Sequence, residues 1–381
     1  MVGMSSETSN SLFDDAVYAR RLTEAARLSR ERGLAGLVIG TGAELAYLTG
    51  SWLSSHERLT ALVIPAEGQP VLLAPSTDLQ DLAASAVPRL DIRVQGWADG
   101  QSAHRLAVEA LGDAHGPVAL GSSLTADHVL ALQALLPGRE SVLATATLRE
   151  LFTRKDDAEI AELRRAGRAI DAVHARVPEL LRPGRTEAEV AADLEKLILV
   201  EHEVVDFIIV GSGPNGANPH HSFSQRVLED GEPVVVDLGG TVSTGYHSDC
   251  TRTYVVGGDV DRAPQDFREA YAVLEAAQTA AVDAVHPGVT AEEIDAAARG
   301  PIEEAGYGEW FFHRTGHGIG LSTHEEPFIM AGNDLPLETG MAFSVEPGIY
   351  LPEKWGMRIE DIVVVGEDNA ESLNFQPRAL R

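Results

Sequence analysis

The sequence predicts an α/β domain over residues 1–150 followed by an α+β domain with pseudo-two-fold symmetry over residues 151–381. Three observations predict this arrangement. Short apolar segments alternate with helix-like segments in the first part, which is typical of α/β proteins. Near residue 150 a charged segment interrupts the alternation and opens a long helix. In the second part, four sequence features recur in the same order.

The N-terminal domain is predicted from the lengths and spacing of its apolar segments. A helix is expected over residues 15–33, because apolar residues recur at helical spacing and a glycine ends the pattern. Short apolar runs predict buried strands at 34–39, 59–64, 71–74, 90–94 and 118–120. Helices are expected between them at 78–85, 103–111 and 126–136.

The C-terminal domain contains a faint internal repeat. A helix predicted from about 157 to 181 precedes the segment P-G-x-T-x-x-E at 183–189, and the same segment recurs at 287–293. In both copies the Thr and Glu are spaced as a helix capping box. The acids Asp237 and Glu346 follow, and each is followed by a second acid, Asp249 and Glu360 respectively. The order predicts a duplicated helix–helix–β-hairpin unit.

Composition and charge exclude several classes of protein. With 30 Lys and Arg against 58 Asp and Glu, the formal charge is −28, which argues against nucleic acid as the main partner. No apolar run reaches the ~18 residues of a membrane-spanning helix. The single cysteine, Cys250, excludes an intramolecular disulfide and Cys-based zinc clusters. The first residues lack signal-peptide features, so we expect a cytoplasmic protein.

Four acids of the second domain interrupt strand-like segments. Asp237 lies within P-V-V-V-D-L-G-G; alone, it could face solvent or pair with an arginine. Asp249, Glu346 and Glu360 also interrupt apolar strand-like segments. Burying a carboxylate costs several kcal/mol unless the group is paired or bound to metal. His317, within T-G-H-G-I-G, is a candidate fifth ligand. This set without a thiolate suits a pair of Mn, Co, Fe or Zn ions, which can activate water and polarise a carbonyl.

Five motifs together resemble those of the pita-bread metallopeptidases, which include aminopeptidase P, prolidase and methionine aminopeptidase. They are D-L-G-G at 237–240, S-D-x-T-R-T at 248–253, T-G-H-G-I-G at 315–320, V-E-P-G-I-Y at 345–350 and R-I-E-D at 358–361. In the first domain, A-Y-L-T-G at 46–50 followed by the strand-like segment 59–64 resembles the creatinase-type N-terminal domain. Methionine aminopeptidases lack that domain, which favours the Xaa-Pro enzymes.

The resemblance implies a role for each proposed metal ligand. Asp237 would bind one ion with both oxygens, and Asp249 and Glu360 would bridge two ions. His317 and Glu346 would each complete one coordination sphere. Glu346 would also accept a proton from the attacking water.

The resemblance also implies roles for residues around the metals. His220 would contact substrate, and His324 would stabilise the tetrahedral intermediate. His221 does not match the family pattern and is interpreted as a surface or packing residue. Tyr350 and Arg358 match residues near the metal carboxylates, where catalysis and orientation of Glu360 or packing of the hairpin are equally open.

The predicted function is hydrolysis of Xaa-Pro bonds. We expect an Xaa-Pro dipeptidase that uses manganese and acts as a homodimer. Aminopeptidase P activity on longer peptides is the alternative; a creatinase-like amidinohydrolase and a non-catalytic binding protein are remote ones. Arg58 is the candidate partner of the substrate carboxylate, with His56 and Trp52 beside it. No nucleic acid or membrane partner is expected.

A literal G-x-G-x-x-G at 211–216 follows an apolar segment but does not predict a nucleotide site. The dinucleotide fingerprint requires a helix next, and the following Ala217-Asn-Pro-His cannot begin one cleanly. We therefore expect a substrate-pocket loop. Cys250 is interpreted as a small buried apolar residue.

Overall fold

The computed structural model describes residues 13–55 and 57–381. The chain divides into two compact units between Phe152 and Thr153, and each is described by itself. No helix within the described residues is long and apolar enough to cross a membrane.

The N-terminal unit is a six-stranded mixed sheet with helices. Its helices are α1 (Asp15–Glu31), α2 (Ala43–Thr49), α3 (Ala103–Ala110), α4 (Ala126–Leu135) and α5 (Thr145–Phe152). Its strands are β1 (Gly36–Ile39), β2 (Ala61–Pro65), β3 (Val71–Pro75), β4 (Arg93–Trp97), β5 (Val118–Leu120) and β6 (Ser141–Leu143). The strand order is β4-β3-β2-β1-β5-β6. Strands β1, β2, β3 and β5 are buried throughout, as their apolar sequences predict.

Two predicted elements of this unit differ in the structure. The predicted helix 78–85 is a 3₁₀ helix, Leu79–Ala84. The strand predicted at 90–94 begins later, at Arg93, and pairs in parallel with β3. This strand lies at the sheet edge and only Trp97 of its five residues is buried. An edge strand need not be apolar, so its sequence does not mark its position.

The C-terminal unit contains longer helices and three small antiparallel sheets. Its helices are α6 (Asp157–His174), α7 (Val177–Leu180), α8 (Glu187–Ile198), α9 (Gln265–Asp283) and α10 (Ala291–Glu304). Its strands are β7 (Val204–Ser212), β8 (Pro233–Thr241), β9 (His247–Val255), β10 (Gly316–Gly318), β11 (Glu325–Ile329), β12 (Ala342–Val345), β13 (Gly348–Leu351), β14 (Trp355–Arg358), β15 (Asp361–Val365) and β16 (Ala370–Ser372). The sheets have the orders β7-β8-β9, β11-β10-β12-β15-β16 and β13-β14.

The predicted repeat is visible in the helix starts. Both predicted capping boxes form, at Thr186 and Glu189 before α8 and at Thr290 and Glu293 before α10. The helix predicted to reach residue 181 ends earlier, at His174. Pro178 has no N–H with which to bond the carbonyl four residues earlier, so the helix stops there and α7 begins as a separate turn.

Strand periodicity determines which side chains of β8 face the core. Val234, Val236 and Leu238 belong to one core cluster with residues of α6 and α8. Because successive side chains of a strand point to opposite faces, Asp237 lies on the other face. In β9, Cys250 joins the same core and Asp249 faces away. The helices therefore cover one face of the sheet and leave both acids on the other.

Candidate active site

A cavity of about 870 Å³ in the C-terminal unit brings together the five predicted metal ligands, within the volume range of small-molecule sites. Residues of all three sheets line it. Asp237 and Asp249 come from β8 and β9, where Gly239 pairs with Asp249 and Asp237 with Thr251. The two acids are therefore diagonal neighbours on one face of the sheet.

Glu346 and Glu360 lie just outside strands, and not within them as the sequence pattern predicts. Val345 pairs with Asp361, so the two glutamates are the next residues along the paired chains. Strand β12 stops before Glu346 because Pro347 has no N–H for the ladder. Glu360 instead donates its backbone N–H to the carbonyl of Thr251 in strand β9, at 3.1 Å. This bond joins the two halves of the C-terminal unit beside the cavity.

Three of these residues have the geometry of a metal site. One ligand atom each from Asp249, His317 and Glu360 lies within 4.8 Å of the others, and all three residues are buried. His317 Nε2 is 3.8 Å from Asp249 Oδ2 and 3.2 Å from Glu346 Oε1. The described residues thus include a cluster that can hold a divalent ion.

The electrostatics of the buried acids also fit a cation. Burial, together with the neighbouring carboxylates, raises the pKa of Asp249 and of Glu360 well above the ordinary values. Within the described residues, Oδ1 of Asp237 and Oε1 of Glu360 are buried without a hydrogen-bond partner. Buried carboxylate oxygens are expensive without a partner; divalent ions would satisfy both oxygens and offset the repulsion.

Arg358 connects Asp237 to Tyr350 and Thr251. Its guanidinium is buried and donates to Asp237 Oδ2 at 2.5 Å, to the hydroxyl of Tyr350 at 3.0 Å and to Thr251 Oγ1 at 3.0 Å. Thr251 in turn donates to Glu360 Oε2 at 2.8 Å. Arg358 therefore contacts the ligand Asp237 directly, whereas Tyr350 is linked to it only through Arg358 and does not itself line the cavity.

The two predicted substrate histidines are exposed in the cavity wall. His220 follows a short 3₁₀ helix, Gly213–Ala217, and its backbone N–H donates to Asn218 Oδ1. The ring of His324 packs edge-on against His317, with centroids 4.1 Å apart. Partial desolvation in the cavity wall, together with the adjacent His317, lowers the pKa of His324 to about 4, which leaves its imidazole neutral at pH 7.

Arg58 belongs to the N-terminal unit, where Asp99 Oδ2 lies 3.3 Å from its guanidinium. Trp52 is exposed, and His56 lies outside the described residues. The role of Arg58 with substrate stays a prediction.

Sequence reasoning missed four residues at or behind the cavity. His313 lines it and places Nε2 2.9 Å from the Tyr350 hydroxyl. Arg314, the next residue, also lines it. Asp206 lines it from β7 and holds His247 Nδ1 at 2.7 Å. The proximity of His313 and Arg314 to the T-G-H motif was a usable signal; nothing in the sequence marks Asp206.

Glu187 is the fourth, and it is fully buried at the start of α8. It accepts hydrogen bonds from the side chains of Ser212, Asn215 and Ser224, and His221 Nε2 lies 2.8 Å away. These residues flank the loop that carries His220. His221, interpreted from sequence as surface or packing, is partly buried and contacts this carboxylate.

The G-x-G-x-x-G segment leads from β7 into the 3₁₀ helix 213–217 and not into an α-helix. A Cβ on Gly216 would lie 2.9 Å from the Gly211 carbonyl oxygen, and a Cβ on Gly356 would lie 1.7 Å from the Gly216 carbonyl oxygen. Close backbone packing therefore explains the glycines at 216 and 356.

Comparison with known proteins identifies both units. Residues 161–367 match the model of metallopeptidase family M24, and residues 21–151 match the creatinase/prolidase N-terminal domain. The chain is 54% identical to a probable dipeptidase PepE of Mycobacterium tuberculosis over 97% of each chain. It is 35% identical to an Xaa-Pro dipeptidase of Lactobacillus delbrueckii subsp. lactis, over 92% of this chain and 96% of the relative.

Among solved structures, that of dipeptidase PepE from Mycobacterium ulcerans is similar with a TM-score of 0.93 and 54% identity, covering 97% of this chain and 98% of the other. The predicted α/β plus pita-bread architecture is thereby confirmed. The chain belongs to metallopeptidase family M24 and carries a creatinase/prolidase N-terminal domain.

Proposed function

We propose that this peptidase is an Xaa-Pro dipeptidase, a prolidase, that cleaves the bond before a C-terminal proline with two divalent metal ions. The observation that carries the proposal is the buried cluster of Asp249, His317 and Glu360 in the wall of a cavity large enough for a dipeptide. The similarity to an Xaa-Pro dipeptidase supports the choice of substrate.

In this proposal Asp237, Asp249, His317, Glu346 and Glu360 would hold the ions. The unpartnered oxygens of Asp237 and Glu360 support their assignment as ligands. When bound, the ions would supply an activated water and a Lewis acid for the scissile carbonyl. We propose manganese over cobalt, zinc or iron, since four hard carboxylate donors and a single imidazole suit it.

The remaining chemistry is assigned to side chains of this chain. Glu346 accepts the proton of the attacking water. Although burial opposes it, hydrogen bonding from His317 lowers the pKa of Glu346 to about 2, so the carboxylate is ionised at pH 7. His324, neutral at pH 7, donates to the developing oxyanion, and His220 contacts substrate from the opposite loop. Arg358 and Tyr350 orient Asp237 through the hydrogen bonds described above.

Aminopeptidase P activity on longer peptides is the alternative, because the same ligand set would serve both reactions. A creatinase-like amidinohydrolase would not need the metal ligands, and a non-catalytic binding protein would have no use for them. Their presence disfavours both. Arg58 is one candidate contact for the substrate carboxylate, and its substitution tests that role.

The test is hydrolysis of Ala-Pro, Ala-Pro-Gly and Ala-Ala by the metal-depleted protein before and after addition of Mn²⁺. We expect Mn-dependent cleavage of Ala-Pro that exceeds cleavage of the other two. Faster cleavage of Ala-Pro-Gly would overturn the dipeptidase assignment in favour of the aminopeptidase. Absence of hydrolysis with every metal would overturn both.

We also propose a homodimer and a cytoplasmic location. The dimer follows from the family resemblance, and light scattering on the purified protein tests it. The location is supported by a lone, buried cysteine, since disulfides accompany oxidising compartments. Cell fractionation tests it.

A further inference from the structure

We propose that Arg314 binds the C-terminal carboxylate of the dipeptide and thereby selects dipeptides over longer chains. This inference rests on the proposed function and adds the residue that would make the enzyme a dipeptidase. It names a residue in the cavity wall as the alternative to Arg58 for this contact.

The cavity offers two arginines among its described lining residues, Arg314 and Arg358. Arg358 is already occupied, because its three donor groups bond Asp237, Tyr350 and Thr251. The guanidinium of Arg314 has no hydrogen-bond or ion-pair partner within residues 13–55 and 57–381. It is partly exposed to the cavity. Arg314 is therefore the permanent positive charge that remains free to meet an anionic ligand.

An aromatic ring holds this charge beside the metal cluster. The guanidinium carbon of Arg314 lies 4.6 Å from the centre of the Phe328 ring, which is the geometry of a cation–π contact. Phe328 in turn pairs directly with the metal-ligand candidate His317 across strands β10 and β11. Arg314 lies two residues before β10, so this strand pair positions Phe328 and His317 directly and Arg314 through the short segment that leads into it.

The position matches the dimensions of the substrate. In an Xaa-Pro dipeptide the carboxylate is separated from the scissile carbonyl by a single proline, at most ~3.6 Å of chain. A group that recognises it must therefore lie next to the metal cluster and not at a distant rim. A guanidinium presents parallel N–H donors that match a carboxylate, so it recognises the free chain end specifically.

A longer peptide loses this interaction. Its proline carbonyl is part of an amide and carries no charge, and the chain beyond it must pass the Arg314–Phe328 pair. A hydrogen bond to a charged group contributes more binding free energy than one to a neutral group. Its loss therefore raises KM and lowers kcat/KM for the longer peptide.

The kinetic test compares Ala-Pro with Ala-Pro amide, which keeps the scissile bond but has a neutral end. It uses the Mn-loaded full chain as wild type, Arg314→Met and Arg314→Lys. We expect Arg314→Met to lower kcat/KM for Ala-Pro about 10- to 100-fold, mainly by raising KM, and to change the amide less than about threefold. Arg314→Lys should recover part of the loss. The matched control is Arg176→Met, an exposed arginine between α6 and α7 that is paired with Glu179.

Equal losses on acid and amide, or no loss on Ala-Pro, would overturn the proposal. A second measurement does not depend on turnover: calorimetric binding of N-acetyl-proline and of its amide. Wild type should prefer the acid, and Arg314→Met should lose that preference; an undiminished preference would overturn the role of Arg314. If wild type cleaves no Xaa-Pro dipeptide, the proposed function is wrong, and the binding comparison still decides on Arg314.

Discussion

The guanidinium of Arg358 donates to Asp237 across 2.5 Å, although 121 residues separate them in the chain. Both side chains are almost completely buried. One Arg358 nitrogen is directed at a proposed metal ligand, and another reaches Thr251, which in turn holds Glu360. A single arginine thus fixes ligands from both halves of the C-terminal unit, and its loss affects both.

We therefore expect Arg358→Met to lower kcat about 10- to 100-fold at saturating Mn²⁺, the range found when residues that orient metal ligands are replaced. It should also destabilise the metal-free protein by about 3–5 kcal/mol, because Asp237 is left as an unpaired buried charge. Arg358→Lys keeps the charge and should lose less stability. The measurements are initial rates on Ala-Pro and urea unfolding; an unchanged kcat in Arg358→Met would contradict the positioning role.

The acids of the site were visible in the sequence because each one broke an apolar strand pattern, and a strand alternates faces. Asp237 between Val236 and Leu238 had to point away from the core. The hydrogen-bond network behind the cavity was less visible. Glu187 bonds residues 25 to 37 positions away, and no local pattern encodes such contacts.

Helix boundaries show the same division between local and distant information. The capping boxes at Thr186 and Thr290 were predictable because all their atoms lie within one turn. The edge strand β4 was misplaced because its position depends on pairing with β3 and its own side chains are largely exposed. The sequence around a helix start therefore predicts that start, whereas the position of an edge strand depends on the strand with which it pairs.

A second prediction concerns metal binding and stability. Because repulsion among Asp249, Glu360 and their neighbours destabilises the ion-free site, Mn²⁺ should raise the melting temperature of wild type. Free metal at 100 times its dissociation constant corresponds to about 2.7 kcal/mol. Asp249→Asn should abolish most of this increase and lower activity by more than about 100-fold.

The control for this experiment is Asp283→Asn, at the exposed end of α9. It removes the same charge far from the cluster and should retain the full Mn-dependent increase. An Asp249→Asn protein that is stabilised by Mn²⁺ as strongly as wild type would exclude Asp249 as a ligand.

A third prediction separates catalysis from binding at His324. A neutral imidazole that donates to the oxyanion acts only in the transition state, so His324→Ala should lower kcat about 100- to 1000-fold with little change in KM. Steady-state rates on Ala-Pro measure both constants. His286→Ala, an exposed histidine after α9, is the control and should behave as wild type. A rise in KM at unchanged kcat would assign His324 to ground-state binding instead.

The fourth prediction concerns the pH dependence contributed by Glu187. Although burial opposes it, hydrogen bonds from Ser212, His221 and Ser224 lower the pKa of this carboxyl from 4.5 to about 2. Between these values the folded protein binds fewer protons than the unfolded chain. The free energy of unfolding therefore decreases as the pH falls through this window, and the contribution present above pH 4.5 is about 3 kcal/mol.

Replacing Glu187 with Gln removes this titration, so the stability difference between wild type and Glu187→Gln should be largest above pH 5 and should shrink steadily toward pH 3. Urea unfolding at closely spaced pH values measures it.

Because His221 and Arg226 also face this carboxyl, the comparison must use the difference between the two proteins and not the wild-type curve alone. Glu195→Gln, an exposed change on the same helix, should give a small and nearly constant difference. A Glu187→Gln difference that stays constant with pH would show that the network contributes packing and not a stabilised charge.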